Sequence, residues 1–412
     1  MDQSSGNQSK FSVEQSLHRY RFLIAAVFLF ISFSVGLSMF AVGPVTPLII
    51  GEYSINRSTA SLLVSVIPFT HMLLGLPSGV LISKIGPSNG LLLAASLASA
   101  PVFSFLSLDY SILISLRVVY AIGLCLMFPA VITLVNHWFP ANELPTFNGL
   151  FVISFSLATA VSNSVVAPIA DTLGWSIALS MMGIMPLLGA ALWLVVGYRK
   201  ADNPQGESSS RNGINIVGVL RDRNTMLITL ADTGPYALMT AAVAWLPTFY
   251  NEVRGMTLIE AGSMVGMMSV AGTLSLIASS ILVLRVHKRR PFLIVPGIVA
   301  GFAGIGSILL YDNLMMVSLI AMGFACWFYV PVLITIPIEL HASNPERVPI
   351  IMGTLMSVGS FFSFISPITV GMSEDLLSSY LPGLVLFSIL SWSLAICGML
   401  LPETGPSKDR LT

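Results

Sequence analysis

The chain has 412 residues, of which 55% are hydrophobic and 9% charged, and its formal net charge is zero. A soluble globular domain carries roughly a quarter charged residues, so this composition excludes a water-exposed fold and indicates a lipid bilayer as the surrounding solvent. The three cysteines lie far apart inside apolar runs, which favours neither a disulfide framework nor a metal cluster.

Twelve apolar runs are each long enough to cross about 30 Å of hydrocarbon as a helix. Backbone groups in lipid must be hydrogen-bonded within the segment, so the runs are predicted to be α-helical and the fold an all-α integral membrane protein. The first 20 residues are polar and are predicted to form a tail without a removable signal peptide. The predicted spans 1 to 12 cover residues 22–46, 58–82, 89–108, 111–136, 147–170, 176–198, 224–248, 257–284, 292–310, 314–338, 348–372 and 380–401.

Lysine and arginine are distributed unequally between the two sides of this topology. The terminal tails and even-numbered loops hold 16 of them, whereas the odd-numbered loops hold only Arg57 and Arg254. Because cytoplasmic loops carry the excess of positive charge, both termini are predicted to be cytoplasmic in a multi-pass protein of the cell membrane.

The longest polar stretch between spans, residues 199–223, is rich in Ser, Asn, Gly and charge and is predicted to be a cytoplasmic linker. It separates a first six-helix bundle, 21–198, from a second, 224–401, which a short tail, 402–412, follows. The two bundles are predicted to be pseudo-symmetric.

Two internal matches support a duplicated six-span unit. Span 1 ends in TPLIIGE and span 7 in LPTFYNE, so that a proline precedes a glutamate by five residues in both, at an offset of 200. Span 5 opens with PTFNG and span 11 with PIIMG, at an offset of 204. Six spans return the chain to the same side, so the repeat is parallel.

Two local motifs carry a resemblance to the major facilitator superfamily. The loop between spans 2 and 3, GVLISKIGPSNG (79–90), resembles a gating loop of that family, with Gly79, Lys84 and Gly86 in place and Ser83 where the family has aspartate. Span 4 contains RVVYAIGLCLMFP, which is similar to the family's arginine-plus-glycine motif. HWFPANELPTFNG (137–149) is similar to the cyanate-permease-like and anion/cation-symporter branches.

The resemblance implies two six-helix bundles around a central cavity lined by spans 1, 4, 7 and 10. Substrate would bind near the midplane while the halves rock, and the protein would be a monomer. An aspartate at position 83 would anchor a cytoplasmic gate through its charge, whereas Ser83 offers a neutral hydrogen bond.

Arg117 is the only arginine deep inside a span, and an arginine in lipid costs several kcal/mol. We expect it to face protein or water, with Tyr120 near the same face. It is a candidate for substrate binding with Tyr120, as an anion site or part of a proton relay. The alternative is a structural clamp in which its five donors hold backbone carbonyls of neighbouring helices.

Asp232 is the only acid predicted well inside a span. A carboxyl in such surroundings suits a proton carrier, and Tyr236 at i+4 could donate to it. His71, near mid-depth of span 2, is a second candidate for proton coupling, because histidine titrates near neutral pH. The alternative is a polar cap or helix-packing contact for Asp232 and a hydrogen bond to a neighbouring helix for His71.

Three further residues are candidates for substrate binding: Asn163 in span 5 and Trp327 and Tyr329 in span 10. Each has helix packing as its alternative. The small-residue pairs Gly262/Gly266 and Gly297/Gly301 are predicted to permit close helix contact.

These features predict a secondary active transporter that moves a small solute by alternating access. An organic or inorganic anion is the preferred substrate, with a proton or another ion coupled to it. A proton-driven drug or cation exporter and a non-transporting sensor on the same fold are the alternatives. No nucleotide-binding loop, catalytic constellation or basic patch appears, so no enzyme, no cofactor and no nucleic-acid partner are expected.

Overall fold

In a computed structural model, the structure describes residues 3–139, 144–197, 216–286, 288–340 and 347–404. Within these ranges all regular structure is helical. Eleven helices are long and apolar enough to cross a membrane, or twelve when the bent pair Leu62–Gly75 and Pro77–Ile85 is counted as one span. The predicted all-α membrane fold is confirmed.

Each predicted span corresponds to one helix or to two helices in series. Spans 1 to 6 are Gln3–Phe40 continued by Thr46–Tyr53, Leu62–Ile85, Pro87–Ala98 continued by the 3₁₀ segment Ala100–Leu106, Tyr110–Trp138, Leu144–Leu173 and Trp175–Val196. Spans 7 to 12 are Arg223–Glu252, Leu258–Arg285, Pro291–Leu309, Asp312–Phe328 continued by Val330–Leu340, Val348–Leu377, and Leu381–Leu390 continued by Ser393–Leu400. Two short helices, Arg57–Ala60 and Ile216–Leu220, lie between spans.

Span 1 differs from the prediction, because its helix already begins at Gln3 within the expected polar tail. Residues 7–20 contain neither proline nor glycine, so nothing in them ends a helix. Span 2 bends by 66° between Gly75 and Pro77, where the proline ring and its missing N–H interrupt the helical ladder. Most of the predicted linker, residues 198–215, and the last residues of the chain, 405–412, lie outside the described residues.

Local polar residues define where the spans begin. The Asn56 side chain accepts a hydrogen bond from the Thr59 amide, which caps the short helix before span 2. Span 8 begins with a complete capping box, in which Thr257 and Glu260 satisfy each other's amides. Spans 2 and 3 meet at Gly86, whose φ of +84° is a conformation that side chains other than glycine rarely adopt.

Buried apolar side chains form separate clusters in the two halves of the chain. The buried members of two clusters all come from residues 24–193, and those of the other two come from residues 219–401. Phe40, Ile50 and Val64 of the first half also pack against a second-half cluster. Each half therefore has its own core, while the boundaries of the two bundles stay a prediction.

The two most extensive contacts between the halves are those of span 2 with span 11 and of span 5 with span 8. The second contact is close because Gly262 lies against the Asn163 carbonyl and Gly266 against the Ser164 side chain. In the second half, Gly297 and Gly301 of span 9 face Ala395 and the Trp392 ring of span 12. Both small-residue pairs are thus contact sites between helices, as predicted.

Candidate transport site and gate

The Arg117 side chain is 2% exposed and is fully engaged with backbone. Its Nε donates to the Leu63 carbonyl at 3.0 Å, its Nη1 to that of Ser38 at 2.8 Å and its Nη2 to that of Met39 at 3.0 Å. Span 4 is thereby tied to spans 1 and 2. This is the geometry of the clamp alternative, and a role of Arg117 in substrate binding stays a prediction.

Tyr120 belongs to the same clamp. Its hydroxyl donates to the Val35 carbonyl of span 1 at 2.7 Å, and the Arg117 guanidinium lies 5.1 Å from its ring centroid. Arg117 holds the Ser38 and Met39 carbonyls in the last turn of the first helix of span 1, where that helix gives way to the 3₁₀ turn Gly43–Val45 and the last carbonyls lose their helical partners.

Asp232 is half-buried in span 7. Its hydrogen-bond partner is Tyr329, which was predicted only as a candidate for substrate binding. The Tyr329 hydroxyl donates to Asp232 Oδ1 at 2.7 Å. Tyr329 is 2% exposed and lies at the break of span 10, between the helices Asp312–Phe328 and Val330–Leu340. The structure therefore brings Asp232 and Tyr329 together, although the sequence offered Tyr236 as the donor.

Tyr236 lies beside the Asp232–Tyr329 pair, where span 7 packs against span 11. A Cβ placed on Gly359 would lie 2.9 Å from Asp232 Oδ2 and 3.3 Å from the Tyr236 ring, so only glycine leaves room there. One turn further along, Thr240 and Ser363 share a hydrogen bond of 2.6 Å between their hydroxyls. We name Asp232, Tyr236, Thr240, Tyr329 and Ser363 the polar cluster.

The remaining candidates lie elsewhere. The Trp327 ring packs against Gly272 of span 8. Asn163 is fully buried at the contact between spans 5 and 8, where its Nδ2 donates to the Thr159 carbonyl and its Oδ1 has no partner among the described residues. His71 lies edge-on to the Phe128 ring at 6.1 Å, and its buried Nε2 likewise has no partner in the described part of the chain.

A network that the sequence did not reveal joins the halves on the side opposite the termini, which we call the far side. Arg57 Nη2 pairs with Glu252 Oε2 at 2.7 Å, and the Tyr380 hydroxyl donates to the same oxygen at 2.8 Å. Arg57 Nε also donates to the Tyr380 oxygen. Burial alone would lower the pKa of Arg57, but these hydrogen bonds outweigh it and raise that pKa.

Asp375 of span 11 also belongs to this network. We name Arg57, Glu252, Asp375 and Tyr380 the far-side latch. Its two carboxylate oxygens accept the backbone N–H groups of Arg57 and Ser58, at 2.9 and 2.8 Å. The Gly371 backbone lies so close to the Arg57 carbonyl that a Cβ there would be 2.8 Å from it. Sequence reasoning used Arg57 only for its charge and Glu252 only as a mark of the repeat.

The predicted gating loop lies on the opposite side, which we call the terminus side. Gly79, Ser83 and Lys84 occupy the last turns of span 2, and Gly86 caps its end. The Ser83 hydroxyl donates to the Val80 carbonyl of its own helix at 2.8 Å, and a Cβ on Gly79 would meet no atom within 4 Å. The Ser83 hydroxyl thus has its partner within span 2.

A second ionic network on the terminus side stays within the second half. Arg289 Nη2 pairs with Glu339 Oε1 at 2.7 Å, and its Nη1 donates to the Val283 carbonyl. Glu403, just after span 12, accepts the Arg289 amide, and Thr404 donates to Glu339. The Pro-Glu-Thr stretch after span 12 thus fastens the end of the chain to spans 9 and 10.

No group of His, Cys, Asp and Glu that could hold a metal ion occurs in the described ranges.

Comparison with known proteins shows what the chain resembles. It is 23% identical over 263 residues to SauU of Cupriavidus necator, a protein assigned to sulfoacetate transport, covering 59% of this chain and 60% of SauU. It is 21% identical over 257 residues to the hexuronate transporter of Bacillus subtilis, again covering 59% of this chain and 60% of the relative.

Among solved structures, a bacterial homologue of the human lysosomal transporter Spinster, in an inward-facing and occupied conformation, superposes with a TM-score of 0.73 at 14% identity. That match covers 92% of this chain and 96% of the other, and it shows the shared fold. The sequence profile described as Major Facilitator Superfamily matches residues 28–367, which is most of the chain. The chain therefore belongs to the Major Facilitator Superfamily.

Proposed function

We propose that the protein is a secondary active transporter that moves a small anion together with a proton by alternating access. The single observation that carries this proposal is the Asp232–Tyr329 pair, a half-buried carboxyl inside span 7 held by a hydroxyl from span 10. An ionisable group at this depth is costly and marks a path for ions or substrate.

The relatives support an anionic substrate. Sulfoacetate and hexuronates, which name the two relatives, both carry acidic groups that are ionised at neutral pH. Their substrates differ from one another, so the relatives favour the class of small organic anions rather than one compound. The family and these relatives are transporters rather than enzymes.

Arg117 is assigned a positioning role in this proposal. Its three nitrogens already donate to backbone carbonyls of spans 1 and 2, and releasing them would leave buried carbonyls unpaired. The positive charge that offsets an incoming anion is then supplied by the coupled proton. Binding of the proton and the anion would stabilise each other for this reason.

Asp232 would carry that proton. The titratable side chains that face it are Tyr329 from span 10 and Tyr236 from its own span, while span 11 contributes Gly359. A tyrosine hydroxyl can donate to the charged carboxylate or accept from the protonated acid, so Tyr329 can serve both states. The pair thus offers a proton site that persists while the halves rock.

The test is transport into proteoliposomes of the wild type, Asp232→Asn and a control, Asp171→Asn. Asp171 is an exposed acid in span 5 without a partner among the described residues. Sulfoacetate and glucuronate serve as probes, each first screened for concentration-dependent thermal stabilisation of the protein. The wild type and Asp171→Asn should accumulate the stabilising acid when a pH gradient is imposed.

Asp232→Asn should lose this accumulation and keep exchange of labelled for unlabelled anion, because exchange needs no net proton movement. Accumulation by Asp232→Asn at the wild-type rate would contradict the coupling role. Stabilisation by amines alone would instead favour the cation exporter, with Asp232 as the partner of the cation.

A further inference from the structure

Four rings from four spans of the first half form a continuous line. Phe40 of span 1 contacts Phe155 of span 5 at 5.8 Å between centroids, and Phe155 contacts Phe128 of span 4 at 6.1 Å. Phe128 in turn contacts the His71 imidazole of span 2 at 6.1 Å. We name these four side chains the ring line.

Phe40 brings one end of the ring line to the interface between the halves. None of its four members is fully buried, in contrast to the core residues around them. Phe40 packs both on the ring line and against the hydrophobic cluster of the second half. Phe69, two residues before His71, contacts Phe364 of span 11 across the interface at 5.0 Å. Phe364 directly follows Ser363 of the polar cluster, so spans 2 and 11 each carry a member of one of the two sets within two residues of this contact.

The internal repeat relates one member of the ring line, Phe40, to one member of the polar cluster, Thr240. With the offset of 200 for spans 1 and 7, Phe40 corresponds to Thr240 and Gly36 to Tyr236. With the offset of 204 for spans 5 and 11, Phe155 corresponds to Gly359. The contacts obey this correspondence, because a Cβ on Gly36 would lie 3.3 Å from the Phe155 ring, and one on Gly359 would lie 3.3 Å from the Tyr236 ring.

At this matched pair the two halves carry opposite chemistry, an aromatic ring at Phe40 and a hydroxyl at Thr240. The first half contributes the aromatic faces of the ring line, and the second half contributes the hydroxyls and the Asp232 carboxyl of the polar cluster. A ligand bound between them would have an apolar, flat side and a polar, charged end. A polyhydroxylated acid fits poorly, because its hydroxyls against the rings would lose water without gaining partners.

We propose that the transported anion is a planar aromatic or conjugated carboxylate, whose ring stacks on the ring line and whose carboxylate faces the polar cluster. This proposal rests on the proposed function and names its substrate class. The Tyr236 hydroxyl can donate to the carboxylate. Asp232 must be protonated when the anion arrives, since two neighbouring carboxylates cannot both stay charged.

The experiment compares three monocarboxylates built on six-membered rings: benzoate, cyclohexanecarboxylate and glucuronate. Dissociation constants for the purified full-length protein are measured from thermal stabilisation and by calorimetry. Benzoate should bind most tightly, because only its flat ring can stack, cyclohexanecarboxylate more weakly, and glucuronate most weakly. Phe128→Leu and Phe155→Leu should each weaken benzoate binding by about threefold to tenfold, the range of one aromatic contact.

Phe302→Leu is the matched control, since this ring lies on span 9, is 63% exposed and contacts Trp392. It should leave benzoate binding unchanged. If the two ring-line variants fold poorly, the order of the three dissociation constants on the wild-type protein still tests the proposed substrate class. Glucuronate binding more tightly than benzoate would overturn the aromatic class while leaving the proposed anion transport standing. Binding of amines alone would overturn both proposals together.

Discussion

The far side and the terminus side of the protein both carry an ionic network, and the two differ in what they join. On the far side, Arg57 of the first half is paired with Glu252 of the second, while Asp375 holds the backbone of Arg57 and Ser58. On the terminus side, Arg289 and Glu339 both belong to the second half. The far side is therefore closed by polar contacts between the halves, while the ionic network of the terminus side joins elements of one half.

The internal repeat shows a further difference, between the two interfaces that join the halves. With the offset of 204, Asp375 corresponds to Asp171, and with the offset of 200, Arg57 corresponds to Thr257. The Thr257 amide donates to the Glu260 side chain of its own helix, and Asp171 is exposed. One interface between the halves, spans 2 and 11, is consequently latched by charge, whereas spans 5 and 8 are joined by close glycine packing.

The largest effect is expected from Arg289→Met on the terminus side. Arg289 is 7% exposed, and its loss would leave Glu339 and the Val283 carbonyl without their partner. Removing one member of a mostly buried pair costs about 3 kcal/mol. The midpoint of unfolding in detergent should fall clearly, whereas Arg285→Met, an exposed control in the last turn of span 8, should change it little.

Arg289→Met should not change the balance between the two facing states, because every partner of Arg289 moves with it. This is measured as the labelling rate of a cysteine placed by Ile50→Cys, since Ile50 packs on the second-half cluster at the far side. A large rise in labelling with Arg289→Met would contradict the assignment of this network to one half.

An intermediate effect is expected from Arg57→Gln, measured with the same cysteine. The paired side chains of Arg57 and Glu252 are 29% and 27% exposed, so solvent screening limits their interaction to about 1 kcal/mol. Opening of the far side should become about fivefold more frequent, and labelling at position 50 should rise by the same factor.

Arg254→Gln is the matched control for that experiment. Arg254 is the other basic residue of the odd-numbered loops, but it donates to the Ile308 and Leu310 carbonyls of its own half. It should leave labelling unchanged. Equal labelling of Arg57→Gln and the wild type would show that close packing, and not the latch, closes the far side.

The spans were predictable because hydropathy alone decides them in a bilayer. The close helix contacts at Gly262 and Gly266 also followed from spacing, since small residues at i and i+4 occupy one face. Arg117 was correctly placed away from lipid, and the clamp was one of two stated alternatives. Which carbonyls it holds depends on where span 1 breaks, and that break is set by tertiary packing.

The partners of the charged residues could not be read from the sequence. Tyr236 was the natural donor for Asp232 by helical spacing, but Tyr329 is brought to it from 97 residues away by the break in span 10. Arg57 and Glu252 lie 195 residues apart, and neither has a neighbour in sequence that marks it. The three phenylalanines of the ring line could not be predicted from the sequence, because a phenylalanine that contacts a ligand cannot be told from one in the hydrophobic core of an apolar span.

The smallest effect is expected at the turn that ends the gating loop. Gly86 has φ of +84° and ψ of 147°, a combination that strains any residue with a Cβ, so Gly86→Ala should lower the free energy of unfolding by about 1–3 kcal/mol locally. Part of this strain should be relieved by a shift of the exposed turn, which leaves an effect near 1 kcal/mol.

Gly79→Ala is the control, because Gly79 is helical and a Cβ there would meet no atom within 4 Å. Alanine also loses less backbone entropy than glycine in a helix, so this variant should be neutral or slightly more stable. The two predictions are checked by comparing the unfolding midpoints of Gly86→Ala and Gly79→Ala in the same detergent. If Gly79→Ala were the more damaging variant, the surface around Gly79 would have to be packed in the dominant state, and the terminus side would then be closed as the far side is.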